Sequence, residues 1–507
     1  MNMKKFKIAF IGAGSIGFTR RLLADLMHVP EFHEIDISFM DINARNLDMV
    51  YQLCQRDLDA NGINIKIHTT LDRREALKDA KYVVDCARIG LLDAFELDVN
   101  IPLKYGVDQC VGDTLCAGGI MYAQRDIAML EGMCRDIREV AAPGCMLLNY
   151  TNPNAMVTWY CNKYGKVPTV GLCHGVQGGH HLIAKALGYE KEDIDIVCAG
   201  INHMTWYLSV KHNGVELNDK LLDALMADPE IAQTEKVRID MMKRFGYFST
   251  ESNGHLSEYV PWYRKRTDEI MDWIDLGCWI NGETGGYLRV CTEDRNWFET
   301  DFPNWLKEPP YVYEPKYRSE EHGSYIIEAI ETGRVYRGHF NVINNGCITN
   351  LPNDCVVEVP GFVDTFGINI PVLGDLPLGC AACCQSNITV QRLAVEAAAH
   401  GDIQLLRQAM MMDPLVGAVC NTNEIWQMVD EMLIAQEEWL PQYADEIARA
   451  KERWAKAEQE GTLIPPIETV GAARLHTKTV EELALNAEAA RRSASEADKA
   501  KERPAAK

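Results

Sequence analysis

The sequence predicts an α/β fold in which a doubly wound parallel sheet is followed by a second, helix-rich α+β domain. Three observations carry that prediction. Short apolar runs suited to buried strands alternate with segments of helical periodicity through the first part of the chain. A glycine-rich loop separates the first of these strands from the first helix. Beyond residue 200 the alternation weakens, with Trp- and Pro-containing loops between Trp262 and Pro315 and helical segments dominating from Val390 to Glu460.

Phe6 to Ile11 reads as a short buried strand, Gly12 to Gly17 as a tight loop, and Phe18 to Met27 as a helix with apolar residues at helical spacing. Ile35 to Met40 is a second strand ending at Asp41. Asn43 is placed to cap a helix that runs to Leu58. Ile65 to His68 and Tyr82 to Cys86 are further strands. A long helix from Met121 to Val140 leads to the strand Cys145 to Leu148, which runs into Asn149-Tyr-Thr-Asn-Pro153. Val170 to Leu172 is followed in the same way by Cys173 and His174. Polar residues directly after buried strands lie at the carboxyl edge of such a sheet, where ligands bind.

The chain has 507 residues, too many for one compact core, and 47% apolar with 24% charged residues is a globular mix. Lys and Arg number 51 against 73 Asp and Glu, a formal charge of −22. Such a surface repels phosphate backbones and anionic lipids, which argues against nucleic acid and membrane as partners. No run approaches the ~18 apolar residues of a membrane span, and Ile8 to Ile11 is too short for a signal-peptide core. Seventeen scattered cysteines point to reduced thiols in the cytoplasm. Cys380, Cys383 and Cys384 form a CxxCC cluster, but no second CxxC or HxxxH accompanies it, so they read as buried structural thiols. From Ala484 to Lys507 the chain is dominated by Ala, Glu, Lys, Arg and Ser and has no face to bury.

Gly12-Ala-Gly14-Ser15-Ile-Gly17 satisfies GxGxxG in the strand-to-helix context that gives this motif its meaning. The first glycine permits the turn, the second lets backbone approach a pyrophosphate, and the third allows close helix packing. Amides at the helix start, with Ser15 among them, face the phosphates. Asp41 closes the second strand, where a carboxylate accepts hydrogen bonds from ribose hydroxyls and repels a 2′-phosphate, so the cofactor predicted is NAD. Residues 1–200 are thus expected to form a Rossmann-like NAD-binding domain. Residues 201–483 are expected to form the substrate, metal and oligomerisation domain, and 484–507 a charged tail.

Four later segments carry a resemblance: Asn149-Tyr-Thr-Asn-Pro153, Val170-Gly-Leu-Cys-His-Gly-Val-Gln-Gly178, Gly200-Ile-Asn-His-Met204 and Thr250-Glu-Ser-Asn-Gly-His-Leu-Ser-Glu-Tyr259. In order and spacing they resemble glycoside hydrolase family 4, the NAD- and metal-dependent glycosidases that depart from two-carboxylate hydrolysis. The match looks closest to the α-galactosidase (melibiase) branch, on Cys173-His-Gly-Val-Gln177, Ala199 to Met204, Gly246 to Ser252 and Asn350 to Val359. His174 stands where phospho-glycosidases have Asp or Asn, which implies an unphosphorylated sugar. Two positions depart from the α-galactosidase pattern. Gly175 replaces the usual Ser and resembles the α-glucuronidase variant, and Asp113-Thr-Leu-Cys-Ala-Gly-Gly119 lacks the usual Gly-Pro. An α-glucuronidase or α-glucosidase therefore stays open. So does, in another class, an NAD-dependent dehydrogenase releasing a keto product, since the nucleotide domain resembles that of lactate and malate dehydrogenases.

The resemblance implies a redox-neutral route: oxidation at C3 of the sugar, deprotonation at C2, elimination at C1, addition of water and re-reduction. It implies Cys173 and His203 as ligands of Mn²⁺ or another divalent metal; by ligand chemistry alone such a pair equally suits zinc. It aligns Tyr259 with the C2 base and His174 with the acid, or with a plain substrate contact. Asn152 and Asp113, with Asn202 and His255, match the donors and acceptors of sugar hydroxyls. Arg264, Lys265 and Arg266 could meet a uronate carboxylate or form a solvated face. The substrate is a small glycoside or oligosaccharide, and the family implies a homodimer or homotetramer.

Overall fold

Buried apolar strands require hydrogen-bonding neighbours, and the first six strands pair with one another in parallel. The computed structural model describes residues 2–278, 280–467, 469 and 471–489. In it β1 (Lys7–Ile11), β2 (Asp36–Met40), β3 (His68–Thr70), β4 (Tyr82–Asp85), β5 (Met146–Asn149) and β6 (Thr169–Gly171) run side by side in the order β3-β2-β1-β4-β5-β6. This is the doubly wound Rossmann order, and it reverses between β1 and β4. Alternate β1 residues serve opposite faces of the sheet: Ala9 and Ile11 pack into one core cluster, Ile8 and Phe10 into another. Helix Ala44–Ala60 begins where predicted, with the Asn43 side chain accepting from the Asn46 amide at 3.1 Å. The long helix begins earlier than its periodicity suggested, at Cys116, and ends at Val140.

One strand is displaced from its predicted place. Ile65 and Ile67 are buried, but the ladder with β2 forms only over His68–Thr70. The reason is Gln55: its amide nitrogen donates to Ile65 O at 3.0 Å and its oxygen accepts from Ile67 N at 3.1 Å. A side chain thus satisfies the backbone groups that a neighbouring strand would otherwise bind.

The sheet does not stop at β6. β7 (Ile194–Ile201), β8 (Met204–His212), β9 (Val215–Glu216), β10 (Tyr336–Ile343), β11 (Val356–Asp364) and β12 (Gly367–Asn369) extend it in the order β6-β10-β11-β7-β8-β9, with β12 on β11. All of these pairings are antiparallel. β7 and β8 form a hairpin closed by the Ile201–Met204 pair, which leaves Asn202 and His203 as its turn. Helix Leu378–His400 packs into the larger core and buries Cys380, Cys383 and Cys384, as the missing second metal motif predicts. All seventeen cysteines are free. Among the described residues no helix is long and apolar enough to cross a membrane. Residues 490–507 of the charged tail lie outside the described residues.

Candidate active site

The glycine loop follows β1 at the switch point. Gly12 has φ +79°, and a Cβ there would lie 2.7 Å from the Ala87 nitrogen. The Gly14 amide donates to Asp41 Oδ2 at 2.8 Å, so the carboxylate at the end of β2 braces the loop while its other oxygen accepts from the Asn43 amide. Each oxygen keeps a lone pair for a ribose hydroxyl. Gly17 corrects the expectation: a Cβ there would meet nothing within 4 Å, so helix packing does not demand this glycine. The cradle, the free helix N-terminus behind Ser15 and the carboxylate fit a dinucleotide.

A cavity of about 280 Å³ opens beside this loop. Ser15 and Phe18 line one side, and Cys173, His203, Glu251 and His255 line another. Cys173 follows β6 directly. His203 occupies the hairpin turn at φ +62°, a left-handed conformation rare for a non-glycine residue and often kept for function. Glu251 arrives on a segment running beside β8, where Tyr207 N donates to Phe248 O and Thr250 N to Thr205 O, both at 2.9 Å. The three donor atoms lie within 4.8 Å of one another. Thiolate, imidazole and carboxylate suit a borderline divalent cation, and three protein ligands leave positions open for substrate.

Glu251 was not a predicted ligand. Its only signal was membership of the Gly246–Ser252 and Thr250–Tyr259 segments, which gave no hint that a carboxylate 78 residues from Cys173 would come within 3.7 Å of its sulfur. Burial raises the Cys173 thiol well above its usual range, and the Glu251 and Glu358 carboxylates raise it further. Burial would also raise Glu251, but the imidazoles of His203, His255 and His174 together with the Arg238 guanidinium outweigh it and leave that carboxyl below its usual value.

The remaining predicted residues divide. Asp113 and Asn152 both line the cavity, with Asn152 Nδ2 donating to Asp113 Oδ2 at 3.0 Å. Thr114 Oγ1 donates to Asp113 Oδ1 at 2.8 Å and lies 3.0 Å from His203 Nδ1. His174 lines the rim, its side chain 61% exposed and its Nδ1 3.7 Å from Glu321. His255 packs edge-on against His203, is bonded through Nδ1 to Ser252 Oγ at 2.7 Å, and is pushed by burial down to about 4. Tyr259 is fully buried behind His255, outside the cavity lining, and its hydroxyl has no partner of good geometry. Burial, and then the carboxylates Glu258 and Asp113, push its phenol well above the usual range.

Two expectations fail. Asn202 does not reach the cavity. With His203 facing the ligand side, its turn neighbour points into the sheet and donates to Glu358 at 3.3 Å. Arg264 is no uronate receptor: it is 1% exposed and held by the Asp108 carboxylate and by the carbonyls of Asp108 and Gly282. Arg266 pairs with Glu269 at the surface. The cation that does line the cavity is Arg88, stacked between Phe95 at 3.9 Å and Tyr122 at 4.6 Å, a residue that no sequence motif singles out.

Residues 7–189 match the model of family 4 glycosyl hydrolases, and residues 198–416 match the C-terminal domain of the same family. The chain belongs to the family 4 glycosyl hydrolases. This family 4 member is 54% identical over 490 residues to an α-galactosidase of Rhizobium meliloti (strain 1021), covering 96% of this chain and 99% of the relative. It is 34% identical to an α-galactosidase of Bacillus subtilis (strain 168), over 86% and 99% of the two chains. Its fold is that of a Thermotoga maritima 6-phospho-β-glucosidase solved with manganese, NAD⁺ and glucose-6-phosphate. The TM-score is 0.70 at 23% identity, over 85% of this chain and 99% of that one. The family resemblance and the fold class read from the motifs both stand.

Proposed function

We propose that this family 4 hydrolase cleaves α-galactosides by a redox-neutral route that needs NAD and a divalent metal, Mn²⁺ being the metal expected. The observation that carries the reading is one cavity bounded by the nucleotide loop on one side and by Cys173, His203 and Glu251 on another. The near end-to-end likeness to an α-galactosidase supports the choice of sugar. The buried, fully paired Arg264 removes the basic-run argument for a uronide.

When bound, NAD⁺ supplies a reversible hydride acceptor for C3 of the sugar, and the divalent cation a Lewis acid for the C3 oxygen and the neighbouring carbanion. The chain's own residues do the rest. Cys173, His203 and Glu251 would hold the cation. Asp113 and Asn152 offer an acceptor and an amide to ring hydroxyls. With C3 oxidised, a base takes the C2 proton, the family resemblance naming Tyr259, the C1–oxygen bond breaks, and His174 protonates the leaving oxygen. Water adds at C1, a proton returns to C2, and the hydride returns to C3, so the product is free galactose with no net redox change. A second reading assigns the C2 proton to His255, because His255 lines the cavity and Tyr259 does not.

The test is hydrolysis of an aryl α-galactoside in D₂O with NAD⁺, Mn²⁺ and a thiol reductant. Galactose carrying deuterium at C2, activity lost on chelation and desalting, and no accumulating NADH are expected. Steady NADH accumulation would instead favour a dehydrogenase. Tyr259→Phe and His255→Asn distinguish the two bases, since only loss of the true base abolishes exchange at C2.

We also propose a division of labour between residues 1–200 for the nucleotide and 201–483 for substrate, metal and assembly, with Cys173 as the nucleotide half's share of the metal. A homodimer or homotetramer is supported by Phe366, Val372 and Leu378, which are 95%, 75% and 85% exposed. Seventeen free thiols support a cytoplasmic, reducing location.

A further inference from the structure

We infer that the Thr114 hydroxyl is a positioning group that fixes the proton of His203 on Nδ1 and so leaves Nε2 bare as the donor to the cation; the inference rests on the metal-dependent reading above. The argument is one of proton inventory. Thr114 Oγ1 has a single proton and faces Asp113 Oδ1 at 2.8 Å and His203 Nδ1 at 3.0 Å; the Tyr259 hydroxyl, itself a donor, also neighbours it and does not need that proton. A carboxylate oxygen only accepts, and the other oxygen of Asp113 already accepts from Asn152 Nδ2. The hydroxyl proton is therefore committed to Asp113. The Thr114 oxygen is then free only to accept, and the ring must present Nδ1–H to it. An imidazole protonated at Nδ1 carries its lone pair on Nε2, the arrangement that outer partners of metal-bound histidines enforce.

Thr114 is 2% exposed and lies outside the cavity lining, so its hydroxyl is shielded from water, while Asp113 and His203, 1% and 6% exposed, face the cavity. Both ends of the relay are also fixed without ligand. Ahead of Asp113, the Glu258 carboxylate accepts the amides of Cys110, Val111 and Gly112 at 2.8, 3.0 and 3.0 Å. Beyond Thr114, the Cys116 amide donates to Asp413 at 3.0 Å. On the other side, His203 is pinned in a two-residue hairpin turn at φ +62°. The consequence is that a metal ligand and a sugar-binding carboxylate share one hydroxyl, so a substrate hydroxyl engaging Asp113 is sensed at the cation.

The experiment uses the full chain as wild type, Thr114→Val and Thr114→Ser. Nitrogen-15 NMR of labelled histidine in the metal-free protein reads the His203 tautomer, assigned by difference from His203→Asn, and electron paramagnetic resonance of free Mn²⁺ reads affinity. The wild type should show Nδ1–H. Thr114→Val should weaken Mn²⁺ binding about 10- to 100-fold while circular dichroism is unchanged, and Thr114→Ser should restore binding. An Nε2–H wild-type ring overturns the inference, as does a Val variant that binds Mn²⁺ like wild type or a Ser variant as weak as Val. Should Thr114→Val not fold, the wild-type tautomer decides. A wild type that binds no Mn²⁺ but shows Nδ1–H would instead defeat the metal-dependent reading.

Discussion

Gly175 and Glu251 occupy each other's space: a Cβ on residue 175 would lie 1.5 Å from Oε2 of Glu251. The missing side chain is what admits the carboxylate to Cys173 and His203. The glycine read from the sequence as a departure from the α-galactosidase pattern therefore has a steric meaning at the metal ligands, with no need of a different sugar.

Gly175→Ala should displace Glu251 rather than the backbone, because the clash falls on the far end of a flexible side chain. We expect Mn²⁺ affinity to fall about tenfold with thermal stability almost unchanged. Mn²⁺ titration beside a thermal melt checks this, and unaltered affinity would remove Glu251 from the ligand set.

Glu258→Gln should loosen the approach to Asp113. Both carboxylate oxygens accept backbone amides, and a glutamine must turn an NH₂ toward at least one of those donors. A buried donor facing a donor costs about 2 kcal/mol. Urea denaturation should show that loss, and KM for the galactoside should rise because residues 110–113 are no longer held.

Arg88 lines the cavity while its Nε and Nη2 lack partners, so ligand oxygens are the natural partners of its guanidinium. Arg88→Lys keeps the charge and loses both the planar stack on Phe95 and Tyr122 and the fixed fork. Steady-state kinetics should show kcat/KM reduced about tenfold, equivalent to about 1.4 kcal/mol. Wild-type kinetics in the variant would exclude Arg88 from substrate recognition.

Stability against acid should depend on the Glu31–Arg334 pair, two hydrogen bonds at 2.8 and 3.0 Å. Arg334 draws the Glu31 carboxyl down from 4.5 to about 2. A depressed folded-state value means the contribution is complete above pH 4.5 and is lost as pH falls toward 2. Because solvent screens the pair, Glu31→Gln should lower stability by about 1 kcal/mol at pH 7. That gap should narrow between pH 4.5 and pH 3 in urea melts, and a gap independent of pH would contradict the assignment.

What the sequence determined by itself is local. Apolar runs bounded by Gly12 and Asp41 located β1 and β2, Asn43 announced its helix, and polar residues after β5 and β6 marked the ligand edge. Each signal is written within a few residues, because strand burial and helix capping depend on near neighbours and backbone periodicity. Even so, the Ile65–Ile67 strand was lost to Gln55, whose side chain binds backbone ten and twelve residues away. Tertiary structure alone decided which side chains share the cavity. Thr114 meets His203 across 89 residues and Glu251 meets Cys173 across 78. The β7–β8 hairpin turns His203 inward and Asn202 away, and the Asp108 carboxylate withdraws Arg264 from solvent. Those outcomes follow from sheet order, hairpin register and the pairing of buried charge, relations between distant segments that no local pattern encodes.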